Sequence, residues 1–274
     1  MITKLYPGGK KKAFNITYDD GVLQDRRFVQ MLNRYCIPAT FHLNSALMDP
    51  PFTWVHQNGQ AITRLTPKEA IQLYAGHEIA SHSLTHPDFT GLPKGEILRQ
   101  MQVDKQNLQQ MFGCEIAGFG VPFDHYGPEA VDAARECGFS YGRNSWQTLC
   151  YDPPFDYFDW AVGVYHLNFE FDTYIDGFFK TDQQLALCQI VGHSYDLDVY
   201  DMWDKIENLL KRVAQDDDIA CLTHGQLVAY LKAMRTSWVN DNFIVNRGSV
   251  DLWFEVNGKI LQVKPGQRVD IPQI

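Results

Sequence analysis

No apolar run in the sequence approaches the ~20 residues of a membrane span. The first ten residues hold no signal-peptide apolar segment either, so a cytoplasmic location is expected. Basic runs are scarce: beyond Lys10-Lys11-Lys12 there is none, and the net charge is −9. An anionic surface repels phosphate backbones, which argues against nucleic acid as a partner. The six cysteines (Cys36, Cys114, Cys137, Cys150, Cys188 and Cys221) are dispersed and form no C-x-x-C pair. A thiolate zinc site is therefore poorly supported, and a reducing compartment fits. Neither a G-x-G-x-x-G fingerprint nor a P-loop is present to indicate a nucleotide-binding fold.

With 274 residues, 45% of them hydrophobic, the chain can bury one full-sized core. Phe14, Ile16 and Tyr18 alternate with Ala13, Asn15 and Thr17, the period of a strand. Phe28, Met31, Leu32 and Tyr35 follow at helical spacing. Further strands are expected at Ala39–Asn44, His77–Ser81, Ile116–Phe119, Phe139–Arg143, Ala161–Leu167, Leu185–Val191 and Ile219–Leu222. Helices fall between most of them, one opened by the capping box Thr66-Pro67-Lys68-Glu69 and another, Lys94–Phe112, stopped by Gly113. Residues 45–65 and the aromatic-rich residues 144–160 read as long loops. About seven strand–helix alternations imply an α/β fold, with parallel strands closed as a barrel or wound as an open sheet. The last forty residues differ. Val256-Asn257-Gly258-Lys259 signals a hairpin, so residues 1–235 are expected to form the main domain and 236–274 a small β appendage packed on it.

Asp19-Asp20-Gly21 ends the first strand. Neighbouring strand residues point opposite ways, so one carboxylate could hold a metal while the other accepts a proton. Some sixty residues on, His82-Ser83-Leu84-Thr85-His86 also follows a strand. A brief helical turn would put both imidazoles on one face, and Pro87 would end it. Two imidazoles and one carboxylate leave positions free for water and substrate. In a barrel of this kind chemistry sits at the C-terminal strand ends, where these residues and His193 fall.

Together these segments resemble the polysaccharide deacetylase family, whose catalytic domain is of the NodB type (carbohydrate esterase family 4). Thr17-Tyr18-Asp19-Asp20-Gly21 matches its first motif and His82–His86 its second. Asp156-Tyr157-Phe158-Asp159-Trp160 matches the fourth, and Ile190-Val191-Gly192-His193 the fifth. The third departs: where the family usually has R-x-P-Y, this chain has Gly120-Val121-Pro122-Phe123. The arginine that would orient the catalytic aspartate is missing from its place. A divergent branch with Gly192-His193-Ser194-Tyr195-Asp196 and residues 122–126 as local signatures is the nearer match.

The resemblance implies a distorted (β/α) barrel and one divalent ion, usually zinc with cobalt, nickel or manganese as alternatives, held by Asp20, His82 and His86. It implies Asp19 as general base, His193 as general acid with Asp159 as its partner, and the backbone N–H of Phe123 as an oxyanion donor. Trp160 and Ile190 would line the pocket for an acetyl methyl group. His166 is a further candidate for substrate contact, and His224 could reach the rim. His42, His56, His77 and His125 are expected to be structural or surface residues. The expected substrate is an acetylated amino sugar, oligosaccharide or polysaccharide. A small amide or O-acetyl ester is the enzymatic alternative, and an inactive glycan-binding domain the other.

Overall fold

The computed structural model describes residues 2–123 and 127–271. The last three residues of the expected appendage and His125 lie outside this range. Nine strands make one parallel sheet: β1 (Lys12–Asp19), β2 (Thr40–Leu43), β3 (Glu78–Ser81), β4 (Gly118–Gly120), β5 (Tyr141–Gln147), β6 (Trp160–Val162), β7 (Val164–Tyr165), β8 (Ala186–Gly192) and β9 (Ile219–Cys221). The spatial order is β7-β8-β1-β2-β3-β4-β5-β6, with β9 alongside the first half of β1. Only Gly163 separates β6 from β7, yet β6 pairs with β5 and β7 with β8. That single stretch bridges the two sheet edges, so the barrel is nearly closed. A Cβ at Gly163 would lie 2.1 Å from the Tyr174 hydroxyl and 2.6 Å from the Gln189 carbonyl, so the closure needs a glycine there.

The helices are α1 (Asp25–Arg34), α2 (Pro67–Leu73), α3 (Lys94–Phe112), α4 (Pro128–Glu136), α5 (Phe171–Lys180), α6 (Ser194–Val199), α7 (Trp203–Ala214) and α8 (His224–Thr236). The Thr66 side chain accepts a hydrogen bond from Glu69 N to cap α2, and Gly113 ends α3 at φ +65°. Strand alternation sorts β1. Phe14, Ile16 and Tyr18 join the apolar layer under the helices, while Asn15, Thr17 and Asp19 face the barrel interior, where they are equally buried. Burial on both faces makes β8 apolar along most of its length.

Several parts of the sequence reading change: the one strand expected over Ala161–Leu167 is the pair β6 and β7, because Gly163 turns the chain from one sheet edge to the other. The expected loop 45–65 holds a hairpin, Thr53–Val55 against Ala61–Thr63, turning at Asn58-Gly59. Helices α5 and α6 both escape the periodicity argument, α6 because it is only six residues long and α5 because Gly177 interrupts it. Packing explains that residue: a Cβ there would lie 2.3 Å from the Tyr151 hydroxyl.

The C-terminal hairpin, Leu252–Val256 and Lys259–Val263, turns at Asn257-Gly258 as expected. Its partner is unexpected. The first strand of the chain, Ile2–Leu5, runs antiparallel to Leu252–Val256, so the appendage recruits the N-terminus. Tyr6, Leu252, Phe254 and Val263 share a core with Ala13, Leu187 and Ala220 at the N-terminal end of the barrel strands. The mouth at the C-terminal strand ends is left for the site.

Candidate metal centre and active site

Two loops at that mouth carry the candidate ligands. Asp20 has φ +84° and Gly21 +63°, so the chain leaves β1 through two left-handed residues. The histidine loop is a tight turn, not helix, with Ser83 at φ +68° and His86 at +55°. Such conformations persist only where surrounding bonds hold them. Here α3 supplies the bonds. Asp104 accepts from Ser81 Oγ at 2.6 Å, and Gln100 accepts from Thr85 N at 2.9 Å. His86 N donates to Ser83 Oγ at 3.2 Å.

Asp20, His82 and His86 each offer a ligand atom, all within 4.8 Å of one another. Asp20 Oδ1 lies 3.9 Å from His82 Nε2 and 3.5 Å from His86 Nε2. His82 Nδ1 is 2.8 Å from the Gly120 carbonyl, and donation there leaves Nε2 as the free ligand atom. Burial takes the His82 pKa down to about 3 against the opposing charges of Asp19 and Asp20, so the ring is neutral. Burial would raise Asp20, but Arg64 and the three imidazoles bring it to about 2. Asp20 Oδ1 is buried and accepts no hydrogen bond. A neutral imidazole pair facing an ionised carboxylate, whose Oδ1 has the Arg64 guanidinium 3.0 Å away but no hydrogen bond, is a donor set that suits a divalent cation.

Asp19 sits beside this set with different partners. Arg143 Nη2 donates to both its oxygens at 2.6 Å, and His42 Nδ1 is 2.9 Å from Oδ1. Burial opposes ionisation, yet Arg143, His82 and His42 together hold Asp19 well below the usual carboxylate range. The arginine missing from the third motif is thus supplied by the next strand. Gly120 occupies the motif's arginine position and is the register partner of Arg143. A Cβ on Gly120 would meet Arg143 Nη2 and His42 Cδ2 at 2.7 Å each. The glycine makes room for the guanidinium. β5 carries a bulge between Arg143 and Gln147, and Ser145 within it and Gln147 at its end line the cavity mouth.

His193 follows β8 at the N-cap of α6, with Nε2 3.9 Å from Asp20 Oδ2. Its Nδ1 is 3.0 Å from Asp196 Oδ2. The same oxygen lies 3.1 Å from His166 Nε2 and accepts from the Tyr165 hydroxyl at 2.6 Å. Burial alone would lower the His193 pKa, but Asp196 and Asp20 raise it to about 9. The cavity over these groups measures about 540 Å³ and is completed by Val121, Phe123, Val191 and Tyr195.

Residues 7–142 match the sequence model of the polysaccharide deacetylase family. Over those residues the chain carries a domain of that family, of the NodB type. A Bacillus subtilis (strain 168) relative, the uncharacterised protein YlxY, is 27% identical over 135 residues, which are 48% of this chain and 38% of that protein. The chain spans less than half the length of the curated relatives it matches. Among solved structures, a Mycobacterium smegmatis protein assigned to the polysaccharide deacetylases aligns with TM-score 0.61 at 14% identity, covering 85% of this chain and 94% of that one. A Bacillus anthracis family pseudoenzyme, in a mutant form with restored activity, aligns with TM-score 0.53 at 16% identity, covering 82% and 70%. At such identities the likeness establishes the fold. No helix among the described residues is long and apolar enough to cross a membrane.

Against this deacetylase frame, several expected residues fall elsewhere. Asp159 does not pair with His193; its carboxylate accepts from Asn144 Nδ2 at 3.0 Å, and Asp196, one turn along α6, takes the partner's place. Trp160 opens its strand, so its ring is buried against His224, 4.0 Å between centroids, away from the mouth. Ile190 is on the wrong face of β8: alternation sends it into the helix-side core, and Val191 lines the cavity instead. His166 is buried between the Tyr18 hydroxyl, 2.7 Å away, and Asp196, so it supports the site without lining it. His224 stacks on Tyr141 inside the barrel and does not reach the rim. Phe123 lines the cavity, at φ +50° with its ring 4.6 Å from that of His86.

Sequence reasoning misses Arg143, Asp196, Arg64 and His42 as site residues. Asp196 lies three residues past His193 within a quoted signature, and Arg143 has inward parity on its strand. Those are the available signals.

Proposed function

We propose that this chain is a metal-dependent deacetylase that hydrolyses the acetyl group of an N-acetylated amino sugar or a glycan containing one. The observation that carries the reading is the three-ligand set of Asp20, His82 and His86, with Asp19 on one side and His193 on the other. A divalent ion bound there would polarise the acetyl carbonyl and acidify water. Zinc suits two imidazoles and a carboxylate.

The chain's own residues divide the remaining work. Asp19, kept ionised by Arg143 and His42, accepts the proton of the attacking water. His193, kept protonated by Asp196, donates a proton to the departing amine nitrogen. The backbone N–H of Phe123 is the donor for charge developing on the carbonyl oxygen. Val191 and Tyr195 exclude bulk water from the acetyl end of the cavity. The products are acetate and a free amine.

The test is acetate release by metal-loaded protein from N-acetylated sugars and their oligomers, with small acetamides and O-acetyl esters alongside. Release from the sugars supports the reading. Release only from small amides or esters moves the substrate class, and no release from any substrate by protein holding one ion per chain leaves a binding domain.

A further inference from the structure

Arg64 is a buried cation in direct contact with the candidate metal site, and the family frame gives it no role. It leaves the hairpin Thr53–Val55/Ala61–Thr63 and is 4% exposed. Its Nη1 donates to the Asp20 carbonyl and, at 2.8 Å, to Asn44 Oδ1. Asn44 Nδ2 in turn donates to the carbonyls of His82 and Ser83. One guanidinium therefore ties together the loops that carry the ligands. Its Nη2 lies 3.0 Å from Asp20 Oδ1. That is the carboxylate oxygen facing both imidazoles, and it accepts no hydrogen bond.

These contacts pull in opposite directions for a bound ion. The Nη1 bonds hold the ligand loops in position before any ion arrives, which reduces the ordering cost of binding. The Nη2 contact sets a permanent positive charge against the oxygen that a cation would use. Arginine cannot relieve this by losing its proton. Inside a buried site such repulsion is weakly screened.

We propose that Arg64 is a positioning residue that competes with the metal ion for Asp20 Oδ1 and thereby weakens the site's affinity for divalent cations. The proposal rests on the reading of Asp20, His82 and His86 as ligands. It implies that the ion exchanges more readily than in a site without the guanidinium, and that Arg64 holds Asp20 in its place when the ion is gone.

The experiment is a zinc titration of metal-free protein in competition with a chromogenic chelator, on the wild type, Arg64→Gln, Arg64→Met and Arg64→Lys. The Met variant puts an apolar side chain beside the Trp54 ring, over which the guanidinium lies, in case Gln disturbs folding. Near- and far-ultraviolet circular dichroism checks that each variant is folded. The expected result is a zinc Kd at least tenfold lower in Gln and Met and within threefold of wild type in Lys, which retains the charge. A role confined to holding the loops predicts the reverse, so an unchanged or higher Kd in Gln and Met overturns the proposal. If neither the wild type nor any variant binds zinc stoichiometrically, the ligand assignment itself fails. A Kd that rises only in the Arg64 variants leaves that assignment standing and removes the competition.

Discussion

The mouth of the barrel has two halves built on different terms. On the side of β1 and β3, the groups are where the family motifs put them: Asp19, Asp20, His82 and His86. On the side of β4, β5 and β8, the proposed roles fall to residues that the motifs do not name. Arg143 stands for the arginine displaced from position 120, and Asp196 for Asp159. The difference follows from what each role demands. Three ligand atoms must converge on one point within a few tenths of an ångström, and only a few backbone positions allow that. A charge that steadies Asp19 or His193 needs only to reach a carboxylate or a ring nitrogen. A barrel brings several strand ends within that reach, so the group can move one strand or one helical turn and still serve.

Removing a ligand is the sharpest test of this contrast. His82→Ala and Asp20→Ala are expected to lower bound metal from about one per chain toward zero, and acetate release to background. Elemental analysis of purified protein reads the first directly, and equal metal content in both variants and wild type would erase the distinction between the halves.

Asp19→Asn should keep the metal and lose about 10²–10⁴-fold in kcat, the usual contribution of a general base. Metal loss here, with retention in Asp20→Asn, would mean that the two carboxylates have exchanged roles.

The relocated arginine is tested through stability as well as rate. Arg143→Met leaves Asp19 buried without its cation, a change that typically costs about 3–5 kcal/mol. Denaturant unfolding of the metal-free protein measures it. Gly120→Ala attacks the same pair from the other strand, because its Cβ would press on Arg143 and His42. It is expected to lower both stability and kcat. A fully tolerated alanine would show that Arg143 does not depend on that glycine.

The relocated aspartate calls for a paired comparison. Asp196→Asn should lower kcat roughly tenfold or more through His193, while Asp159→Asn should stay within about twofold. The reverse ranking would restore the motif's own aspartate as the partner.

The smallest effect concerns a group outside both halves. Burial raises the Asp25 carboxyl to about 7, against the hydrogen bonds from Ser194, Tyr74 and Val22. The folded state then holds this proton more tightly than the unfolded state, so stability falls as pH rises from about 4 toward 7. Asp25→Asn should flatten that part of the stability–pH curve, read by thermal unfolding across the range.

Much of this molecule is legible in the order of its residues. The 2-residue and 3.6-residue periods mark nearly every barrel strand and most helices, because burial on one or both faces imposes those periods directly. Helices α5 and α6 are the exceptions: α6 is too short to show a period, and Gly177 of α5 answers to Tyr151 across space and not to its own helix. The ligand residues are legible too, since their spacing within short loops is a local property. Ile190 shows a limit that parity could have removed: it and His193 are an odd number of residues apart, so they face opposite sides of β8.

By itself, the sequence determined the alternation of strands and helices, the placement of Asp19, Asp20, His82, His86 and His193 at strand ends, and the C-terminal hairpin. All of these depend on residues close together in the chain. Tertiary structure alone decided that β6 and β7 close the barrel, that Ile2–Leu5 joins the C-terminal hairpin, that Arg143 fills the space left by Gly120, and that Arg64 reaches Asp20 across 44 residues. Those are encounters between distant segments. A side chain's charge says that it needs a partner when buried, but only the packed fold says which partner is within reach.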